Sequence, residues 1–113
     1  MARVTYLELP VADTARAKTF YAAAFDWTFT DFGPTYAATC SGDTDIGFQA
    51  DPDQQTAAAL PVIEVDDLEA TLAAVERAAG IVTVPIFAFP GGRRFQFHDP
   101  DGHELAVMQP AAE

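Results

Sequence analysis

The chain opens with a segment, residues 4–11, in which β-branched and apolar residues partly alternate with polar ones. This pattern predicts a β-strand that places Tyr6 and Glu8 on the same face. After Asp13 the apolar residues recur at every third or fourth position, which is typical of an amphipathic helix. We therefore predict a helix that Asp13 caps and that ends near Phe25.

Three short strands are predicted after this helix, because turn-forming residues separate three segments rich in strand formers. These segments cover residues 27–30, 35–40 and 46–49. The polar segment 51–56 follows and has the composition of a surface connector. The first half of the chain is thus predicted to have the order βαβββ.

The same order is predicted for the second half of the chain. Strand 60–65 is followed by a helix whose apolar face runs from Leu68 to Ala79 and which Gly80 closes. A turn at 99–102 joins the last two of the three remaining strands. Those three strands are predicted at 81–84, 94–98 and 104–108.

An internal repeat relates the two halves. Residues 11–13 align with residues 65–67 at an offset of 54 positions, and the same offset aligns Tyr6 with Leu60. The matching order of elements and the matching strand-to-helix junctions favour a repeat over a coincidence of two βα units.

Composition supports a single folded domain over residues 1–113, with modules at about 1–50 and 58–110. The chain is 50% hydrophobic and 20% charged, which provides enough apolar material for a core and argues against intrinsic disorder.

The net charge of −11, from 6 basic and 17 acidic residues, disfavours nucleic acids and anionic membranes as partners. The single cysteine, Cys40, forms neither an intramolecular disulfide nor a thiolate zinc site. No export signal or membrane-spanning run is visible, so we expect a cytoplasmic protein.

Three motifs follow one another along the chain, at residues 7–21, 65–68 and 98–105. Together they resemble the vicinal oxygen chelate superfamily, which includes glyoxalase I, bleomycin resistance proteins and extradiol dioxygenases. The resemblance covers nearly the whole chain and is closest to small glyoxalase-like proteins of bacteria. It implies an α+β fold in which two tandem βαβββ modules form a curved mixed sheet around a cavity, and it implies a homodimer.

In this family, four inward side chains hold a divalent metal, and the resemblance assigns these positions to Tyr6, Gly47, Leu60 and Ala106. Divalent metals need imidazole, carboxylate or thiolate donors, and this set supplies at most one weak phenol. We therefore expect the metal site to be absent and no cofactor to be bound. A register shift of two would bring in Glu8 and Gln49, which are still a poor pair.

Glu8 and His98 are the candidates for a catalytic base. Burial of Glu8 in an apolar strand would raise its pKa, although an acid at a cavity mouth or one paired with Arg94 is an equal alternative. His98 lies on the polar face of a strand whose other face is aromatic, and a structural role is the commoner one for such a histidine.

These features favour a small-molecule-binding protein whose apolar cavity accepts a ligand, and the acidic charge suits a cationic one. The predicted ligand-binding residues are Tyr6, Glu8, Phe48, Gln49, Leu60, His98 and Met108.

Three other functions remain open. The first is a metal-independent isomerase, epimerase or lyase that acts on a small carbonyl compound, with Glu8 or His98 as the base. The second is a metalloenzyme with relocated ligands from Glu8, Glu64, His98 and Glu104. The third is a partner or sensor module whose cavity is closed by aromatic side chains.

Overall fold

The computed structural model describes residues 2–112, which form two helices and eight strands in the order βαβββ followed by βαβββ. The predicted α+β class and the repeated element order are confirmed. Neither helix in this part of the chain is both long and apolar enough to cross a membrane. The elements are β1 (Arg3–Pro10), α1 (Thr14–Phe25), β2 (Thr30–Asp31), β3 (Tyr36–Ala38), β4 (Asp45–Gln49), β5 (Leu60–Glu64), α2 (Leu68–Arg77), β6 (Ile81–Phe89), β7 (Gly92–His98) and β8 (Glu104–Pro110).

The chain divides into two compact units, residues 6–60 and the described parts of 1–5 and 61–113. We call α1 with β1–β4 module one, and α2 with β5–β8 module two. In module one, β4 lies between a parallel β1 and an antiparallel β3, and β2 pairs with β3. In module two, β8 lies between a parallel β5 and an antiparallel β7, and β6 pairs with β7. Each module thus builds the same four-stranded mixed sheet.

The register of the parallel pairs supports the repeat. Glu8 lies opposite Gly47 in module one, and Val62 lies opposite Ala106 in module two. Glu8 and Val62 are 54 positions apart in the sequence. Gly47 and Ala106 therefore occupy equivalent places in the two sheets.

An aspartate caps the N-terminus of each helix, and the two aspartates, Asp13 and Asp67, align at the offset of 54. The Asp13 carboxylate accepts a hydrogen bond from Ala15 N–H at 2.9 Å, and the Asp67 carboxylate accepts one from Ala70 N–H at 3.0 Å. Such caps satisfy amide groups that have no partner within the first helical turn. The predicted helix start at Asp13 is confirmed.

The core of module two lies between α2 and one face of its sheet. Phe95, Leu68 and Val107 are almost completely buried there, together with Val65. Phe95 and Phe97 alternate along β7 with polar residues on the opposite face, which agrees with the predicted aromatic and polar faces of this strand.

The strand predicted at 27–30 is mostly wrong, because only Thr30–Asp31 is paired. Asp26 ends α1 in the left-handed conformation, with φ of 60°, and turns the chain at that point. Trp27 then stacks against Tyr21 of α1. This ring contact replaces strand pairing at the predicted position.

The end of α2 also differs from the prediction. The left-handed residue is Ala79, with φ of 72°, and not Gly80. A glycine is still favoured at position 80, because an added Cβ would lie 2.5 Å from Val75 Cγ1. The next strand, β6, continues to Phe89 and is much longer than the predicted 81–84.

We predict that Ala79→Gly stabilises the protein by about 0.5–1 kcal/mol, because glycine adopts left-handed backbone angles without the penalty of a side chain. Ala78→Gly is the matched control, since Ala78 has an ordinary φ of −84°. We expect this control to lower the free energy of unfolding, measured by urea denaturation. Equal effects of the two substitutions would contradict the assignment of strain to Ala79.

Candidate functional site

The two faces of the module-one sheet carry different chemistry. On the α1 side, Phe48 is completely buried and its ring stacks on Tyr21, with a centroid distance of 5.3 Å. Successive side chains of a strand point to opposite faces of the sheet. The face opposite α1 therefore holds position 47 of β4, together with Tyr6 and Glu8 of β1.

Three polar side chains on this face form a hydrogen-bonded chain, which we call the tyrosine–glutamate cluster. Tyr36 Oη donates to Glu8 Oε1 at 2.9 Å, and Tyr6 Oη lies 2.6 Å from Tyr36 Oη. Tyr36 has one hydroxyl proton and gives it to Glu8, so the proton between the two phenols comes from Tyr6. The two hydrogen bonds therefore run in one direction, from Tyr6 to Tyr36 and from Tyr36 to Glu8.

Burial and charge together keep Tyr36 protonated. Burial raises the pKa of the Tyr36 phenol far above its ordinary value near 10, and the negative charge of Glu8 raises it further. Glu8 itself is only 3% exposed. Tyr36 therefore acts as a hydrogen-bond donor in this cluster and does not act as a base.

Gly47 lies directly beneath the cluster. A methyl group added at Gly47 would overlap both phenol oxygens, and it would lie only 2.8 Å from Tyr6 Cζ. The two phenols thus fill the space that a side chain at position 47 would need. A larger residue at position 47 would therefore have to displace the two tyrosine hydroxyl groups.

The structure brings Tyr6 and Glu8 together, as the sequence predicts, but it separates Phe48 from them. Phe48 points to the α1 side and packs in the core. Gln49 lies on the face of the cluster, and its side-chain oxygen accepts a hydrogen bond from Asp51 N–H at 3.0 Å.

Tyr36 is a site residue that the sequence analysis missed. Its position in a predicted strand was a weak signal, because the contact with Glu8 depends on how three strands pair. In the structure, Tyr36 lies opposite Gln49 on β4, which in turn pairs with β1.

Module two carries a second polar network on the sheet face opposite α2. Gln96, which is 7% exposed, donates from Nε2 to Glu104 Oε2 at 2.8 Å. Thr83 Oγ1 donates to the same carboxylate oxygen at 2.9 Å, and Arg94 Nη2 donates to Gln96 Oε1 at 3.2 Å. The Arg94 guanidinium also lies over the Phe87 ring, 5.2 Å from its centroid.

The remaining predicted site residues lie on strands of module two. His98 at the end of β7 is the cross-strand partner of Glu104, and Met108 of β8 pairs with both Arg94 and Glu64. Leu60, at the start of β5, is completely buried. Among the described residues, His98 belongs to no group of three or more His, Cys, Asp or Glu side chains that could hold a metal ion.

The four positions that the resemblance assigns to metal ligands do not fit a divalent metal. Gly47 and Ala106 have no side-chain donor, and Leu60 is a hydrocarbon. The Tyr6 hydroxyl is hydrogen-bonded to Tyr36. Among residues 2–112, no group of three or more His, Cys, Asp or Glu side chains is arranged to hold a metal ion.

Comparison with known proteins identifies one family. A sequence model of the Glyoxalase/Bleomycin resistance protein/Dioxygenase superfamily matches residues 3–107. No functionally curated protein matches the chain.

Solved structures share the fold at low sequence identity. A glyoxalase/bleomycin resistance protein/dioxygenase superfamily member from Vibrio splendidus 12B01 is 18% identical with a TM-score of 0.72, over 98% of this chain and 100% of that chain. Methylmalonyl-CoA epimerase from Mycobacterium tuberculosis is 14% identical with a TM-score of 0.76, over 96% and 88%. The Mn(II)-bound glyoxalase from Novosphingobium aromaticivorans is 22% identical with a TM-score of 0.70, over 96% and 40%. At these identities the likeness establishes the fold alone.

We predict that Gly47→Ala lowers the free energy of unfolding by about 1–3 kcal/mol, because the new methyl group must displace the phenols. Tyr6→Phe removes one of the two overlapping hydroxyl groups, so Gly47→Ala should cost less in that background. A double-mutant cycle by urea denaturation measures this coupling, which we expect to be about 1 kcal/mol. Strictly additive effects would contradict the steric account.

We predict that Tyr36 gives no phenolate absorbance at 295 nm while the protein remains folded. Above pH 10 the unfolded state loses this proton and the native state keeps it, so stability falls by at most about 1.4 kcal/mol per pH unit as pH rises. Tyr36→Phe removes this contribution to the pH dependence. A phenolate signal that is absent from Tyr36→Phe, while circular dichroism still reports folded wild-type protein, would contradict the prediction.

Proposed function

Because this chain belongs to the Glyoxalase/Bleomycin resistance protein/Dioxygenase superfamily, we propose that it is a glyoxalase-like small-molecule-binding protein in which the family metal site is lost. The tyrosine–glutamate cluster is the observation that carries this proposal. Position 6, where the resemblance puts a metal ligand, holds a phenol that is hydrogen-bonded to Tyr36, and the two phenols leave no room for a ligand side chain at position 47.

The chemistry of the cluster favours a ligand that is cationic or donates hydrogen bonds. The negatively charged Glu8 carboxylate is a hydrogen-bond acceptor, as its contact with Tyr36 shows, and both properties suit such a ligand. A net charge of −11 attracts cations to the protein as a whole. In this proposal Glu8 binds the polar group of the ligand, and Tyr36 holds Glu8 in place.

We also propose that the protein is a homodimer, in keeping with the resemblance to small family members. Phe20, Phe25 and Phe32 are each more than half exposed, and aromatic side chains of this size are often covered by a second subunit.

A metal-independent isomerase or epimerase is the second candidate, and the pairing of Glu8 with Tyr36 favours it. The Glu8 carboxylate can remove a proton from the carbon next to a carbonyl group, which leaves Glu8 as a carboxylic acid and the substrate as an enolate. Glu8 then returns this proton to a neighbouring carbon, or to the opposite face of the same carbon after the enolate has turned over in the site. Tyr36 donates a hydrogen bond to Glu8 and so orients the carboxylate before the first transfer. The fold is shared with methylmalonyl-CoA epimerase from Mycobacterium tuberculosis.

Native mass spectrometry of untagged protein, purified without chelator, tests the proposal. We predict that addition of one equivalent of Zn²⁺, Ni²⁺ or Mn²⁺ gives no stoichiometric adduct. We also predict that organic amines from a small mixed panel form adducts, and that carboxylic acids of the same size do not. Glu8→Gln should weaken amine binding at least tenfold, because it removes a buried charge.

Asp53→Asn is the matched control, because it removes one negative charge from an exposed loop outside the cluster. A stoichiometric metal adduct that Glu8→Gln abolishes would instead support a metalloenzyme with relocated ligands. Exchange of a substrate C–H proton with deuterated water, lost in Glu8→Gln, would support the epimerase candidate.

A further inference from the structure

A concave surface lies on the α1 side of module one, away from the tyrosine–glutamate cluster. It is a cavity of about 540 Å³, which is within the range of small-molecule sites. Leu7 of β1 and Ile46 of β4 pair across the two strands and form an apolar floor. Leu7 is 36% exposed, so this floor is accessible. We call this cavity the tryptophan groove.

Trp27 forms a preorganised aromatic wall of the groove. Its ring stacks on Tyr21, with centroids 5.7 Å apart and planes 7° apart, and on Phe25 at 5.1 Å. Tyr21 in turn stacks on Phe48, which is completely buried, so the indole is anchored to the core. Trp27 remains 39% exposed, and tryptophan is the aromatic side chain that attracts cations most strongly.

Two carboxylates give the groove a negative charge. Burial raises the pKa of Asp45, but hydrogen bonds from Ser41 N–H, Thr39 Oγ1 and Gly42 N–H outweigh it and hold the pKa below its ordinary value. Asp45 is therefore ionised at neutral pH. Asp26 contributes the second carboxylate, and none of the residues that line the groove is basic.

We propose that the tryptophan groove binds a small quaternary ammonium compound with an apolar arm. The charged head lies against Trp27 and near Asp26, and the arm covers Leu7 and Ile46. An apolar floor alone would accept neutral and anionic molecules of the same shape, whereas the Asp26 carboxylate selects for the cation. This site is separate from the proposed function, because it lies on the other face of the sheet.

Trp27 is the only tryptophan of the chain, so its fluorescence reports directly on the groove. The probe is benzyltrimethylammonium chloride. A parallel titration with sodium chloride at the same concentrations controls for ionic strength. We expect a saturable change in emission. Asp26→Asn should weaken binding about three- to fivefold, since one exposed charge contact is lost and asparagine still adopts the left-handed conformation.

Three comparisons make the result decisive. Asp53→Asn, which removes a charge outside the groove, should leave the dissociation constant unchanged, and so should Tyr36→Phe in the tyrosine–glutamate cluster. Benzyl alcohol and phenylacetate should give no saturable change at the same concentrations. The proposal is overturned if the cation gives no saturable change, or if the neutral or anionic probe binds equally well. It is also overturned if Asp53→Asn or Tyr36→Phe weakens binding as much as Asp26→Asn. A change in emission that follows self-association of the protein would overturn it as well.

Discussion

The parallel pairing of the first and last strands is the constraint on which each module depends. In module one this pairing sets Glu8 of β1 opposite Gly47 of β4, and in module two it sets Val62 opposite Ala106. Because side chains alternate along a strand, this register decides which residues face the helix and which face away from it. A shift of one residue would place the Glu8 carboxylate in the apolar layer under α1, which is energetically prohibitive without partners.

The tyrosine–glutamate cluster is a physical solution to burying one carboxylate. A carboxylate that loses water must recover hydrogen bonds from protein donors, and neutral phenols supply them at low desolvation cost. Tyr36 makes the direct contact with Glu8, and Tyr6 orients Tyr36. In module two, Gln96 and Thr83 donate to Glu104, which is only partly buried. The two modules therefore share a backbone but differ in the polar groups that their sheets present.

The sequence predicts those features that local patterns encode. The Asp13 cap and the common face of Tyr6 and Glu8 follow from spacing within a few residues. The repeat follows from a comparison of the two halves of the sequence. Tyr36 was missed because its role depends on the pairing of three strands that are distant in sequence. Phe48 was predicted to bind ligand, yet strand alternation assigns it to the core, and only the observed register of β4 reveals which face it occupies. The composition of residues 27–30 predicts a strand there, whereas ring stacking on α1 determines the position of Trp27.

The difference between the two helix ends explains why the groove belongs to module one. With the offset of 54, the residue equivalent to Trp27 is Ile81, which begins the nine-residue strand β6. The helix α1 has 12 residues and α2 has 10, so the chain leaves α1 later relative to the sheet. The strand that follows α1 is reduced to Thr30–Asp31. The residues between the end of α1 and this strand form a loop that folds Trp27 back onto the helix. A long strand at this place pairs its backbone with a neighbour, whereas the loop leaves Leu7 of β1 partly exposed beside the indole. The same shortening of β2 thus creates both the concavity and its aromatic wall.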